Sequence, residues 1–180
     1  AASLFAVIGV LCQLIRRKST KKGSKLDISM LDCQVAILEN AIARYTITGI
    51  VPEPMGTDHP SITPFGAFKT KDGKIVIAIG NDKLFNRFCN VIGDLNIPNE
   101  YNSNKKRNLN INKLRERIEK YLKKQTSKYW LNQLSKERIP SAKINSISEL
   151  TNNKQIIHRK MLLDYSLGSK KDKGMKITNM

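Results

Sequence analysis

Two histidines, three cysteines and scattered carboxylates are the residues of this 180-residue sequence whose spacing could first be tested for a catalytic or metal-binding constellation. His59 and His158 stand far apart in the chain, so spacing frames no dyad, and no pair of carboxylates is set as an acid/base couple. Cys12, Cys33 and Cys89 lie in apolar helical patterns without metal-ligand or redox spacing, and are expected to be reduced core residues. There is no Gly-rich phosphate loop. Asn81 is placed to cap a helix through its side-chain oxygen, and Asp82 follows as a first-turn carboxylate that the helix dipole favours. His59 lies among prolines, where a ring held by its neighbours is the plain reading and a substrate contact the sharper one.

The formal charge of +17 invites a nucleic-acid reading, because clustered Lys and Arg release counterions from phosphates. The runs at 16–25 (RRKSTKKGSK) and 104–107 (NKKR) carry no interleaved aromatics for base stacking, and read as solvated surface. A basic nucleic-acid-binding module is therefore the non-enzyme alternative, and neither nucleic acid nor membrane is the expected partner. Residues 1–15 are apolar and precede Arg16, Arg17 and Lys18, like a signal anchor, but a spanning helix needs about 20 apolar residues. A buried helix of a larger cytoplasmic α/β domain is expected, in a chain that looks like an excised piece.

Several elements can be read from local pattern. Leu4, Ile8, Leu11 and Ile15 follow the helical period; Leu26, Ile28 and Met30 alternate as a short strand; Ser29 and Asp32 open a helix with Val35, Leu38, Ile42 and Tyr45 on one face, ending at Gly49. Four prolines at 51–64 mark a linker. Strands at 67–70 and 75–79 flank Asp72-Gly73, which predicts a type I′ hairpin. A helix from Asn81 to Gly93 follows, then an Asn-rich loop, helices with Leu114, Ile118 and Tyr121 and with Trp130 and Leu134, a strand at 139–144, and a capping box at Ser146 and Glu149. A short helix at 153–161 and a hairpin of 162–165 with 175–178 complete the pattern.

The run MGTDHPSITPFGAFKTKDGKIVIAIGNDKLFNRFCNVIG (55–93) strongly resembles the family III CoA-transferases of the CaiB/BaiF type. LDISMLDCQVAILENAIARY (26–45) is similar to a strand and helix of that family; TKKGS (20–24), ERIPSAKIN (137–145) and NKQIIHRKML (153–162) stand where members show TGRGQ, GVPCGPVN and DPQVRARGM. The resemblance covers nearly the whole chain. It implies an α/β fold: a part of a Rossmann-like large CoA-binding domain at 1–50, a linker at 51–64, a small α+β domain at 65–145 and a return linker at 146–180, in an interlocked homodimer.

It also implies the chemistry. One Asp carboxylate of such enzymes takes CoA covalently, with acyl-CoA and a carboxylic acid as substrates and no tightly bound cofactor or metal. That Asp belongs just before a segment like AASLFAVIG, so the resemblance leaves no catalytic residue in the 180 positions, and the chain by itself is expected to be inactive. Met30, His59, Asn81 and Asp82 are the CoA- or substrate-proximal candidates it leaves, and an α-methylacyl-CoA racemase-like enzyme is the alternative it allows. The lack of a Gly-rich loop near the linker speaks against the oxalate-specific branch.

Overall fold

The helical recurrence of Leu4, Ile8, Leu11 and Ile15 does wind a helix, α1 (Ala2–Thr20), in a computed structural model that describes residues 1–165 and 175–178. The chain divides into two units, Ala1–Pro54 and Met55–Met180. In the first, α1 stops where Lys21 turns left-handed (φ 58°) and its amide closes on the Arg17 carbonyl at 2.9 Å. The following loop folds back: Ser24 Oγ donates to Gln13 Oε1 at 2.6 Å, and Leu26 packs over Gly9, where a Cβ would sit 2.9 Å from Leu26 Cδ2.

Leu26, Ile28 and Met30 do not form the expected strand. A strand needs a neighbour to pair its amides and carbonyls, and no described residue of this unit belongs to a sheet. Met30 instead opens α2 (Met30–Ile37), whose N-cap Ser29 accepts from the Asp32 amide at 3.2 Å. The expected single helix breaks at Leu38 (ψ 8°) into α2 and α3 (Glu39–Thr48), and α3 ends at left-handed Gly49. Cys33 is buried, but Cys12 is exposed, against expectation, because the apolar faces of α1 around Val7, Ile8 and Leu11 are uncovered. Among the described residues no helix is long and apolar enough to cross a membrane.

The second unit is built on a hairpin of β1 (Phe65–Lys69) and β2 (Lys74–Ala78), with Lys69 opposite Lys74. β3 (Ser141–Lys143) pairs antiparallel with the other edge of β2, Val76 opposite Ala142. The hairpin lies as expected but its turn is not type I′, since neither Asp72 nor Gly73 is left-handed. The loop spans 70–73, closed by the Thr70 amide on the Gly73 carbonyl at 2.9 Å. Asp72 accepts from the Ser127 amide at 2.7 Å and from the Thr70 hydroxyl at 3.2 Å, which pins the loop to the start of α8 (Ser127–Lys136). Those donors, Ser127 foremost, hold the Asp72 carboxyl below its ordinary value.

Ile75, Ile77 and Phe68 of the sheet meet Phe85, Phe88, Cys89 and Ile92 of α4 (Asp82–Ile92), Leu114, Ile118 and Leu122 of α7 (Ile111–Leu122), and Trp130 and Leu134 of α8 in one core. Each large apolar side chain so buried contributes about 2 kcal/mol. The Asn-rich stretch expected as loop winds α5 (Ile97–Glu100) and α6 (Asn104–Leu109), because Pro98 in the first turn of one and the Ser103 cap of the other supply start signals. α9 (Ile147–Thr151) opens with the expected capping box, and α10 (Lys154–His158) leads to the paired β4 (Leu162–Tyr165) and β5 (Met175–Thr178).

Side chains close the outer edge of β1: Thr57 Oγ1 and Glu119 Oε1 accept from the Ala67 and Lys69 amides at 3.0 Å each, and Arg115 Nη1 donates to the Ala67 carbonyl at 2.6 Å. Arg115 also pairs with Asp58, whose Oδ1 lies over Gly66. A side chain at 66 would strike that oxygen and press within 3.0 Å of the Thr57 carbonyl. Gly66→Ala is therefore expected to cost about 1–3 kcal/mol in chemical denaturation, while Gly73→Ala, whose Cβ would lie 3.8 Å from Ser127 Oγ, has room.

Arg117 joins α7 to the end of α4 and to α5, binding Asp94 at 2.7 and 2.9 Å and Glu100 at 2.7 Å. The Arg117 guanidinium holds the buried Asp94 carboxyl below its usual range. A lowered carboxyl stabilises the fold above its unfolded value and loses that contribution as pH falls through the folded one. The stability gap between wild type and Asp94→Asn should therefore be full near neutrality and shrink below about pH 4 in urea melts; a gap constant with pH would contradict the pairing.

Candidate functional site

Residues 57–64 connect to β1 as a loop held from three directions. His59 Nδ1 accepts from the amides of Ser61 and Ile62, both at 3.1 Å, and the ring stacks on Phe65 at 5.1 Å between centroids. The His59 amide itself donates to the Phe65 carbonyl at 2.9 Å. From α6, Asn104 donates to the Ser61 carbonyl at 2.7 Å and accepts from the Thr63 amide at 3.1 Å, and Asn108 donates to the same Ser61 carbonyl at 2.8 Å.

Arg107, between those two asparagines, is 2% exposed. Its Nε donates to the Thr63 carbonyl at 2.7 Å, Nη1 to the Tyr101 carbonyl at 3.1 Å and Nη2 to Asp82 Oδ1 at 2.5 Å, and its plane lies 4.3 Å over the Phe85 ring. A buried guanidinium needs its donors satisfied and its charge matched, and this one has both. Asp82 starts α4, with Asn81 capping it through Oδ1 to the Leu84 amide at 2.9 Å. The 104–107 run thus departs from the solvated surface expected of it, since its arginine is the buried tie between two candidate segments.

Three of the four candidates, His59, Asn81 and Asp82, lie in this second unit, and Arg107 links the loop carrying the first to the helix start carrying the others. Met30 belongs to the first unit, at the start of α2, 75% exposed. The thiol of Cys89 is pushed up to about 12, by burial first and by Asp94 second, which makes it an inert core group rather than a nucleophile. Among the described residues no group of three or more His, Cys, Asp and Glu could hold a metal ion. Asn104, Arg107 and Asn108 were not singled out from sequence as site-forming. Their spacing of three and four residues puts them on one helix face, and that was the available signal.

A family model described as CoA-transferase family III matches residues 1–180. The chain is similar to an acetyl-CoA:oxalate CoA-transferase of Acetobacter aceti, 34% identical over 89% of this chain and 42% of that protein. It is also similar to a succinyl-CoA:glutarate CoA-transferase of Mus musculus, 32% identical over 91% and 38%. The chain thus spans about two fifths of the length of these curated relatives. Its mixed α/β fold matches the crystal structure of a CaiB/BaiF family protein from Brucella suis with TM-score 0.78 and 29% identity, over 91% of this chain and 44% of that one.

Removing Arg107 strips two carbonyls, one carboxylate and an aromatic face at once, whereas removing Asp82, whose side chain is 63% exposed, leaves a cation that water can partly reach. Arg107→Ala is expected to lose about 3–5 kcal/mol and Asp82→Ala about 1–2 kcal/mol in denaturant titrations. Equal losses would mean that the guanidinium serves Asp82 alone.

Proposed function

This chain belongs to CoA-transferase family III, and we propose that it is part of an enzyme passing coenzyme A between small carboxylic or dicarboxylic acids through an aspartyl-CoA intermediate. The match across all 180 residues carries this reading, and relatives whose names pair an acyl-CoA with oxalate or glutarate support it. In this reading residues 1–50 contribute to a Rossmann-like CoA-binding domain and 65–145 form the small domain. The 51–64 and 146–180 segments are the linkers of an interlocked cytoplasmic homodimer.

The nucleophilic Asp stands, on the resemblance, before the AASLFAVIG segment, outside these 180 residues. Its carboxylate attacks the donor thioester and expels CoA thiolate, leaving a mixed anhydride. The thiolate then attacks the aspartyl carbonyl, giving aspartyl-CoA and releasing the donor acid. The acceptor carboxylate attacks that thioester and expels the thiolate again; the thiolate takes the acceptor acyl carbon, and the Asp carboxylate returns. Each anhydride must be kept from water. Met30, His59, Asn81 and Asp82 are the residues of this chain that we read as lying close to CoA or substrate.

A racemase-like reaction would need an acid/base pair in the upstream sequence, and related racemases place an acidic residue where α4 starts here. Asp82 has Oδ1 occupied by Arg107 and serves as counter-charge to a buried cation, which favours the transferase reading. Oxalate, set aside by the missing Gly-rich loop, returns as an acid to try because one relative is named for it.

The full-length protein containing this chain, given succinyl-CoA or acetyl-CoA with oxalate, glutarate or succinate, should form the acceptor's CoA ester in an amount equal to the donor lost. Release of free CoA without a new thioester, or inversion of a 2-methylacyl-CoA without any acceptor acid, would overturn the reading.

A further inference from the structure

A short exposed segment ordinarily keeps much of its freedom, yet the backbone from 59 to 63 is fixed by an imidazole, two amides and a guanidinium. What this scaffolding holds still is the His59 ring. Its Nδ1 faces two N–H donors and is therefore the unprotonated nitrogen of a neutral imidazole, so the proton sits on Nε2. Nε2 has no hydrogen-bond partner among the described residues, the ring is only half-buried, and Phe65 stacks against one face to fix its plane. The asymmetry is chemical: one nitrogen is spent on the loop, and the other is a donor without a partner among the described residues.

We propose that His59 is a substrate-contacting residue that donates Nε2–H to a carboxylate oxygen of the acceptor acid, a role that rests on the transferase reading above. A donor fixed before the acid arrives spends no ordering entropy when it binds. Because the imidazole is neutral and Nδ1 is committed, it acts as a hydrogen-bond donor and carries no charge to the site. Asn104, Asn108 and Arg107 are positioning residues for that donor, acting through the loop backbone.

Asparagine and glutamine separate the two nitrogens. In the full-length protein His59→Asn keeps an oxygen near the place of Nδ1, able to accept from the amides of residues 61 and 62 as an Asx turn does, but has no group at Nε2. His59→Gln reverses the exchange. His59→Asn is expected to keep the wild-type melting temperature and the KM for acyl-CoA, while kcat/KM for the acceptor acid falls roughly ten- to hundredfold, the loss of one hydrogen bond to a charged group. His59→Gln should melt earlier and retain more of its discrimination among acids than His59→Asn does. Exchange by His59→Asn equal to wild type would overturn the donor role and leave His59 a loop former. A rise in the KM for acyl-CoA alone would overturn the assignment to the acceptor. The tautomer is read independently of activity from 15N-histidine NMR of the wild-type protein, where a proton on Nδ1 would also overturn it. Wild-type protein that exchanges no CoA with any acid would instead overturn the transferase reading, a separate result.

Discussion

One buried guanidinium sets the form of the candidate site. Arg107 sits on the Phe85 ring of the core and spends its three nitrogens on the Thr63 carbonyl, the Tyr101 carbonyl and the Asp82 carboxylate. Each of those partners belongs to a different segment, and none of them touches another in a regular ladder. A lysine could neutralise Asp82 but could not reach the two carbonyls in fixed directions, since its donors swing about a single atom. The loop before β1 and the first turn of α4 are thereby placed by one rigid plane, which is in turn placed by the apolar core. Stability and site geometry share a residue, and a change in the core near Phe85 reaches the site through it.

Much of the second unit was legible because its signals are local. Asn81 caps α4 three residues away, Gly93 ends it, Ser146 and Glu149 form their box, and the two apolar runs about Asp72-Gly73 pair as a hairpin. Failures came where a local preference met a distant partner. The Asp-Gly pair favours type I′, but Asp72 gains the Ser127 amide across 55 residues by adopting a different turn. Leu26, Ile28 and Met30 have the alternation of a strand and no neighbour in their unit to complete it. The Asn-rich stretch lacks helix propensity, yet caps and one proline are enough for two short helices that rest on the core.

The site was legible in part for the same reason. The resemblance drew attention to His59, Asn81 and Asp82, and simple capping accounts for Asn81. Nothing local announces that Arg107, 25 residues beyond Asp82, is its partner, or that Asn104 and Asn108 reach back more than forty residues to Ser61. Asn104 and Arg107 were hidden inside a run whose most obvious property is positive charge, and Asn108 directly follows it. Charge runs average over side chains that do different things: Lys105 and Lys106 are exposed, and the arginine beside them is in the core.

The same distinction bears on the +17 net charge. Three arginines of the second unit turn toward carboxylates of the chain itself. Arg107, Arg115 and Arg117 meet Asp82, Asp58 and Glu119, and Asp94 and Glu100, and two of them also lie on the Phe85 and Phe68 rings. Their planar forks bind carbonyls and carboxylates of the chain itself, so they offer no free field to a phosphate backbone. Much of the remaining positive charge is carried by exposed lysines such as Lys105 and Lys106 and by exposed arginines such as Arg16, Arg17, Arg138 and Arg159, while the Lys124 ammonium lies 4.6 Å from the centre of the Tyr121 ring. A large positive number in the composition is thus compatible with a candidate site built from neutral or balanced groups: an imidazole, two amides and an ion pair.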